Sequence, residues 1–278
     1  MRERWMKRKE HIRRALALAV LLALALCLSA CGETETGPYR TLAELGEKRY
    51  SVVCRRGDRL APLIDAAMYA LWTDGQLSGA SLRWLGRDDV ALEGGEPAET
   101  LPAPQATEEG QSVRTLIFGV ERDFDPMCYD AGEGLVGMSV DIGRAVAAML
   151  GMEAAFQPIS PAEVATQLAS GNIDCALGFD PAEVDGEKYA VGVRYLLSTM
   201  VLAVRSESPV RSLSDLQGLR IGTIEDPLLS RAIQDNSQIT RYASGATVYL
   251  TPGRCMEALD KSWCAAVAMD RIMLERLI

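Results

Sequence analysis

The sequence predicts an α/β fold built on a mainly parallel sheet, and three observations carry that prediction. From Leu116 to Leu177, apolar runs at Leu116–Val120, Ala154–Pro158 and Ile173–Leu177 alternate with helical patterns at Gly137–Leu150 and from Ser160 to Gly171. The connections are short, and strand–helix–strand units of this kind pair in parallel through right-handed crossovers. The alternation returns after Gly218, where strands are expected at Leu219–Ile224, 239–242 and 263–269, with helices after Pro227, at Met256–Leu259 and from Arg271 to Ile278.

Taken in order, residues 1–14 are basic and residues 15–30 are apolar, too short a run to span a membrane comfortably. This is the layout of a signal peptide. It ends in Leu28-Ser29-Ala30-Cys31-Gly32, which resembles a bacterial lipobox with Cys31 as the lipidated residue and new N-terminus. Two acyl chains there would anchor the chain outside the cytoplasm. A polar tether, 31–38, follows. Tyr50–Cys54 reads as a strand and Gly57-Asp58 as a turn. Leu60, Ile64, Ala67, Met68 and Leu71 share one face of a helix that stops at Gly75, and a shorter helix ends in Trp84-Leu85-Gly86. Asp89–Ser112 carries three prolines, three glycines, six acidic side chains and no aromatic residue, the composition of a solvated linker.

Within the central block, Ile142, Val146, Met149 and Leu150 lie on one helical face and Gly151 terminates it. Ser160-Pro161-Ala162-Glu163 is a capping box with proline at the first helical position. Tyr195–Val204 is a long apolar strand, Ser212–Gly218 a capped helical turn, and Asp226-Pro227 another cap-and-proline helix start.

The chain has 278 residues, 48% of them hydrophobic, enough for a substantial core. Its net charge is −9, of which residues 1–30 contribute +5, leaving −14 on the remainder. Nothing in that balance favours nucleic acid. The sole histidine, His11, lies within the first thirty residues. The rest therefore has no Ser-His-Asp triad, Cys-His pair or histidine metal ligand. It also has no C-x-x-C pair, so neither a metal site nor a cofactor is expected. Five cysteines follow Cys31. Cys255 and Cys264 are candidates for a disulfide outside the cell, or are small buried hydrophobes.

The order strand, acidic-aromatic loop, Gly137-x-x-Val140-Asp141-Ile142, then Ser170-Gly171-x-Ile173-Asp174 resembles lobe 1 of the amino-acid-type (family 3) solute-binding proteins of ABC transporters. Tyr50, Arg56-Gly57-Asp58, Asp74-Gly75 and Trp84-Leu85-Gly86 are similar to the C-terminal end of the same family, so its tail precedes its head, as in a circular permutation. The resemblance implies a two-lobed periplasmic binding protein fold of type II, with two crossover strands joining mainly parallel sheets. It divides the chain into a lobe 2 strand and crossover at 39–55, lobe 1 helices at 56–88, linker 89–113, lobe 1 at 114–198, crossover 199–205 and lobe 2 at 206–278.

The resemblance also implies a monomeric, membrane-anchored binding protein, not an enzyme, that takes a small polar ligand in the interlobe cleft and serves an ABC permease. Two other readings are a sensory or degenerate lipoprotein of the same fold and a dehydratase-like enzyme. By position, Asp270 matches the family's amino-group aspartate, Phe124 its loop aromatic, and Glu121 an acidic neighbour. The carboxylate-clamping arginine has no match; Lys188 stands near its place, as a point charge rather than a fork. Asp226 replaces the usual Gly-Thr-Thr helix start. Asp226 is equally a helix cap, Asp180 before Pro181 a turn residue, and Phe124 a core side chain. With Glu121, Asp180, Asp226 and Asp270 facing one cleft, a cation is needed to offset them, and a cationic amine or basic amino acid is the expected ligand.

Overall fold

Two strands of 17 residues each, β1 (Tyr39–Arg55) and β8 (Tyr189–Arg205), run side by side through the centre of the molecule. They pair antiparallel from Tyr39 opposite Arg205 to Arg55 opposite Tyr189. The computed structural model describes residues 37–93, 97, 101, 113–183 and 187–277. The chain divides into two units, Met1–Gly37 and Pro38–Ile278, and the architecture is that of the second. The expected signal peptide at 1–30, the tether with Cys31 up to residue 36, and most of the linker lie outside the described residues.

One nine-stranded sheet runs through both lobes: β10 (Gly245–Tyr249), β9 (Arg220–Ile224), β11 (Ala266–Asp270), β8, β1, β7 (Cys175–Phe179), β3 (Thr115–Glu121) and β6 (Glu153–Ile159) lie in that order, and the ninth strand, β2 (Val90–Glu93), pairs with β8. Lobe 1 has β3 (Thr115–Glu121), β6 (Glu153–Ile159) and β7 (Cys175–Phe179), in parallel with Phe118 opposite both Phe156 and Cys175. Lobe 2 has β9 (Arg220–Ile224), β10 (Gly245–Tyr249) and β11 (Ala266–Asp270), again in parallel. Each set attaches to one of the long strands. β7 pairs with β1 (Cys54 opposite Cys175), and β11 pairs with β8 (Asp270 opposite Met200).

The lobe 1 helices form where the sequence pattern places them. α1 (Leu60–Thr73) buries Leu60, Ile64, Ala67, Met68 and Leu71. Burying each large aliphatic side chain contributes about 2 kcal/mol. After α2 (Gln76–Leu85), Gly86 takes the left-handed conformation that ends it, at φ 73°. α3 (Met138–Met149) starts at Gly137, whose φ is 134°. A side chain there would meet the Met127 carbonyl oxygen at 2.3 Å. The close approach is productive, because the Pro126 and Met127 carbonyls accept from the first helical amides, Met138 and Ser139. Ser160 and Glu163 form the expected reciprocal cap, opening as one 3₁₀ turn before α4 (Val164–Ser170). Phe118, Val120, Ile142 and Val146 belong to the main core, which continues into lobe 2; Val53, Ile159, Leu168, Ile173 and Phe179 form a second cluster.

Lobe 2 departs from the expected order. Residues 239–242 are not a strand but part of α6 (Ser237–Tyr242). The Asn236 side chain accepts from the amides of Gln238 and Ile239, and this cap turns a neutral Ser-Gln-Ile-Thr stretch helical. The strand comes later, as β10. α7 is longer than Met256–Leu259, running Pro252–Asp260 under a Thr251 cap. α5 (Pro227–Asp235) and α8 (Arg271–Leu277) complete the lobe. The linker also starts later than expected. Val90–Glu93 is a strand, β2, paired with β8 at Leu196 and Arg194. Its alternating Val-Ala-Leu-Glu turns Val90 and Leu92 toward the core. A short antiparallel pair, β4 (Tyr129–Asp130) and β5 (Leu135–Val136), lies just before α3.

Of the two readings of Cys255 and Cys264, disulfide or small buried hydrophobes, the structure shows the second. Both are free, buried thiols. Their sulfurs converge on Gly222 of β9, each within about 3.2 Å of where a β-carbon would stand, so they fill the space that this glycine leaves. Burial pushes the Cys255 thiol up to about 12 and the Cys264 thiol up to about 11. Among the described residues no helix is long and apolar enough to cross a membrane.

Since β1 joins β7 to β8, deleting residues 39–88 removes a central strand and two helices rather than a tail. Circular dichroism melting of that deletion should show no cooperative transition; a sharp native-like melt would contradict the role assigned to β1.

Candidate functional site

The crossover strands place a lysine at the lobe junction. β1 runs from lobe 2 to lobe 1, and Lys48 lies in its middle, opposite Ser198 of β8. Its side chain is 1% exposed. Nζ lies 3.0 Å from Asp226 Oδ2 and 3.5 Å from Glu121 Oε2. It also lies 5.5 Å from the centre of the Tyr50 ring and 5.7 Å from that of Phe124, within cation–π range of both. An isolated buried ammonium is prohibitively costly, so the carboxylates and rings are what permit it.

Each carboxylate arrives from a strand end or a helix start. Glu121 is the last residue of β3, and Phe124 stands in the loop after it, stacked obliquely on Tyr50 at 6.1 Å between ring centres. Asp226 caps α5, with its Oδ1 accepting from Leu228 N at 2.7 Å and Leu229 N at 3.0 Å, while Oδ2 faces Lys48. Its two oxygens therefore do both jobs that the sequence left open, cap and cleft charge. Asp270 ends β11. Its carboxylate accepts from Tyr50 Oη at 2.8 Å, Ser198 Oγ at 2.7 Å and Ile272 N at 2.7 Å. Asp180 follows β7 and accepts from Arg49 N at 2.6 Å and Ala182 N at 2.8 Å, which ties the middle of β1 to lobe 1.

Glu121, Phe124, Asp226 and Asp270 are thus brought together around Lys48 and Tyr50, with Asp180 one residue along β1. Lys188 is not. It is exposed and precedes Tyr189, where its carbonyl accepts from Arg56 N at the far end of β1 from the cluster. The cation that the carboxylates require is Lys48, which sequence reading passed over. Glu47-Lys48-Arg49 looks like an exposed charged turn before the apolar Tyr50–Cys54. The strand alternation that turns Lys48 inward, on the same side as Tyr50, is the only local signal.

The electrostatics follow from burial and pairing. Burial pushes the Glu121 carboxyl up to about 7 against the pull of Lys48, and Asp226 and Asp270 push it the same way. Asp270 is also raised, by burial first, despite Lys48 and its three hydrogen-bond donors. Burial acts on Asp226 too, but Lys48 and the two α5 amides outweigh it and hold that carboxyl below its usual range. Burial, then Asp270, drives the Tyr50 hydroxyl well above its usual value, so it stays a donor. Chemically, the site is a seat for one ammonium between two carboxylates and two rings. Among the described residues no group of three or more potential ligand side chains is placed to hold a metal ion. A separate groove of about 450 Å³, lined in part by the sequence neighbours of Glu121 and Asp226, runs from Arg122, Ser160 and Thr166 on lobe 1 to Glu225 on lobe 2.

The family model of the bacterial extracellular solute-binding proteins, family 3, matches residues 116–268. The arginine-binding extracellular protein ArtP of Bacillus subtilis (strain 168) is 27% identical over 110 residues. The match covers 39% of this chain and 43% of ArtP, so it spans under half of that relative. An ABC uptake transporter substrate binding protein from Streptococcus pneumoniae with bound histidine superposes with a TM-score of 0.51 at 20% identity, over 58% of this chain and 68% of that one. Tv2483 bound to L-arginine gives 0.50 at 22% identity, over 57% and 66%. At these identities the solved structures speak for the fold alone.

The Glu121 shift makes a pH prediction. Its folded pKa lies above the unfolded value, so the stability it contributes is full below about pH 4.5 and is lost as pH rises through about 7. Asp226 runs the other way, losing its contribution only as pH falls below its ordinary carboxylate value. The Glu121 shift by itself should lower stability from pH 5 to 7.5 by about 3 kcal/mol, and Asp270, also raised, acts in the same direction. Glu121→Gln should flatten that decline in urea titrations at each pH, and an unchanged slope would show that Glu121 does not set it.

Proposed function

The chain belongs to the bacterial extracellular solute-binding proteins, family 3, and from that premise we propose that it captures a small amine-bearing solute in the interlobe cleft and delivers it to an ABC permease. The observation that carries this reading is the ammonium seat. Glu121 from lobe 1 and Asp226 from lobe 2 converge on one cation between the Tyr50 and Phe124 rings, with Asp270 behind. Groups held by both lobes at once are what a cleft that closes over its ligand requires. Water exclusion on closing strengthens such a contact. The ligand class is a basic amino acid or a polyamine, in keeping with the arginine named for ArtP.

Two further features belong to the proposal. Cys31 is the lipid anchor that tethers the chain at the outer face of the membrane. The strand and helices of 39–85 complete lobe 1 and the crossover although they precede residues 116–268, which fits a circularly permuted family member. A second reading, a sensory binding lipoprotein with no transport role, is favoured by one fact: the seat already holds an ammonium, that of Lys48.

Calorimetry with arginine, lysine, putrescine, glutamine and glutamate tests the ligand class. The cations should bind and glutamate should not, and Asp270→Asn should weaken the cations at least tenfold by removing the negative charge behind the seat. Glutamate binding tighter than any cation would refute the proposal. For the anchor, a fatty-acid probe should label the wild type in cells and leave Cys31→Ser unlabelled; equal labelling would remove Cys31 from the account.

A further inference from the structure

We propose that Lys48 is a resident occupant of the ammonium seat, which a solute must displace, and that until then it latches the two lobes together. This rests on the reading above in one respect only, that the solute's cationic end uses the same seat.

Position is the first support. Lys48 belongs to neither lobe, being mid-crossover, yet its Nζ reaches Glu121 of lobe 1 and Asp226 of lobe 2 at 3.5 and 3.0 Å. One ammonium therefore spans the two lobes. Polarity is the second. The amides at a helix start form a natural carboxylate seat. At α5, a helix of nine residues, the Asp226 carboxylate fills it through Leu228 and Leu229. Lys48 and Asp226 together thus present an ammonium and a carboxylate at the lobe junction, the two charges that a free amino acid would bring. The third support is the state of the lobes. The turn at Pro181–Glu183 of lobe 1 lies against α5 of lobe 2, beside the Asp180 carboxylate that accepts from Arg49 N.

Competition follows. A solute that binds only where Lys48 has withdrawn pays for the fraction of time that the seat is free. Removing the Lys48 ammonium should therefore tighten the binding of amine solutes, whereas for an ordinary binding-site lysine removal would weaken it. A purely structural ion pair would alter stability and leave both affinity and lobe spacing unchanged.

The test uses the full chain in detergent with spin labels at Thr166→Cys on lobe 1 and Arg231→Cys on lobe 2, both exposed positions. Electron–electron resonance should give one short distance for the wild type with or without arginine. Lys48→Met should give a longer distance alone and return to the short one with arginine, and calorimetry should show at least tenfold tighter arginine binding. Should Lys48→Met fail to fold, Asp226→Asn serves instead, since asparagine keeps the helix cap and loses the charge; it too should lengthen the solute-free distance. An open solute-free wild type, or a short solute-free distance in the folded variant, overturns the latch. The distances without solute need no ligand, so a chain that binds none of the amines sinks the proposed function while the latch is still decided.

Discussion

The ion pair between Lys48 and Asp226 is the interaction on which the cleft depends. A buried ammonium and a buried carboxylate each lose several kcal/mol of hydration, and their attraction recovers it only in good geometry with every remaining valence filled. Here the filling is complete on the Asp226 side: one oxygen faces Nζ and the other takes two helix amides. Lys48 adds Glu121 and two aromatic rings. Removing Lys48 takes from Asp226 its cation, and removing Asp226 takes from Lys48 its nearer carboxylate, so the pair constrains strand β1, the end of β3 and the start of α5 at once.

The geometry of β1 is what permits this. Its first residues pair with the lobe 2 portion of β8, and its last pair with β7 of lobe 1. Its middle residues, Glu47 to Tyr50, cross between the lobes. Tyr50 points the same way as Lys48 and donates to Asp270, so a phenol rather than a cation satisfies the deepest carboxylate. The three acidic groups have three different solutions: an ammonium and helix amides for Asp226, a tyrosine, a serine and an amide for Asp270, and partial protonation beside Lys48 for Glu121. That division gives each of the three buried acids a compensating group from the chain itself.

The residues at which the resemblance fails, Asp226 at the helix start and the missing arginine, are those at which the chain supplies its own charges. Asp226 satisfies the first α5 amides, Leu228 and Leu229, with its own carboxylate. Lys48 comes from the segment that lies outside residues 116–268, the family match. A local comparison of motifs sees the departure at the α5 start and not the lysine that meets it.

By itself the sequence determined the α/β class, the helix starts at Ser160, Ser212 and Asp226, the stops at Gly86 and Gly171, and the long apolar strands. These depend on capping, glycine conformation and periodicity, all set within a few residues. It also put Glu121, Asp226 and Asp270 at strand ends and helix starts, the places where a parallel sheet gathers side chains. It failed where local preference was weak. Residues 239–242 turned helical on the Asn236 cap, and Val90–Glu93 joined the sheet only because an edge of β8 was open to it. Tertiary structure alone decided which cation meets the carboxylates. Lys48 is 73 residues from Glu121 and 178 from Asp226 along the chain. Beyond the strand alternation it shares with Tyr50, nothing near it in sequence distinguishes a lysine that will be buried from one left in water; that choice is made when β1 inserts between β7 and β8 and its inward side chains meet charges brought from both lobes.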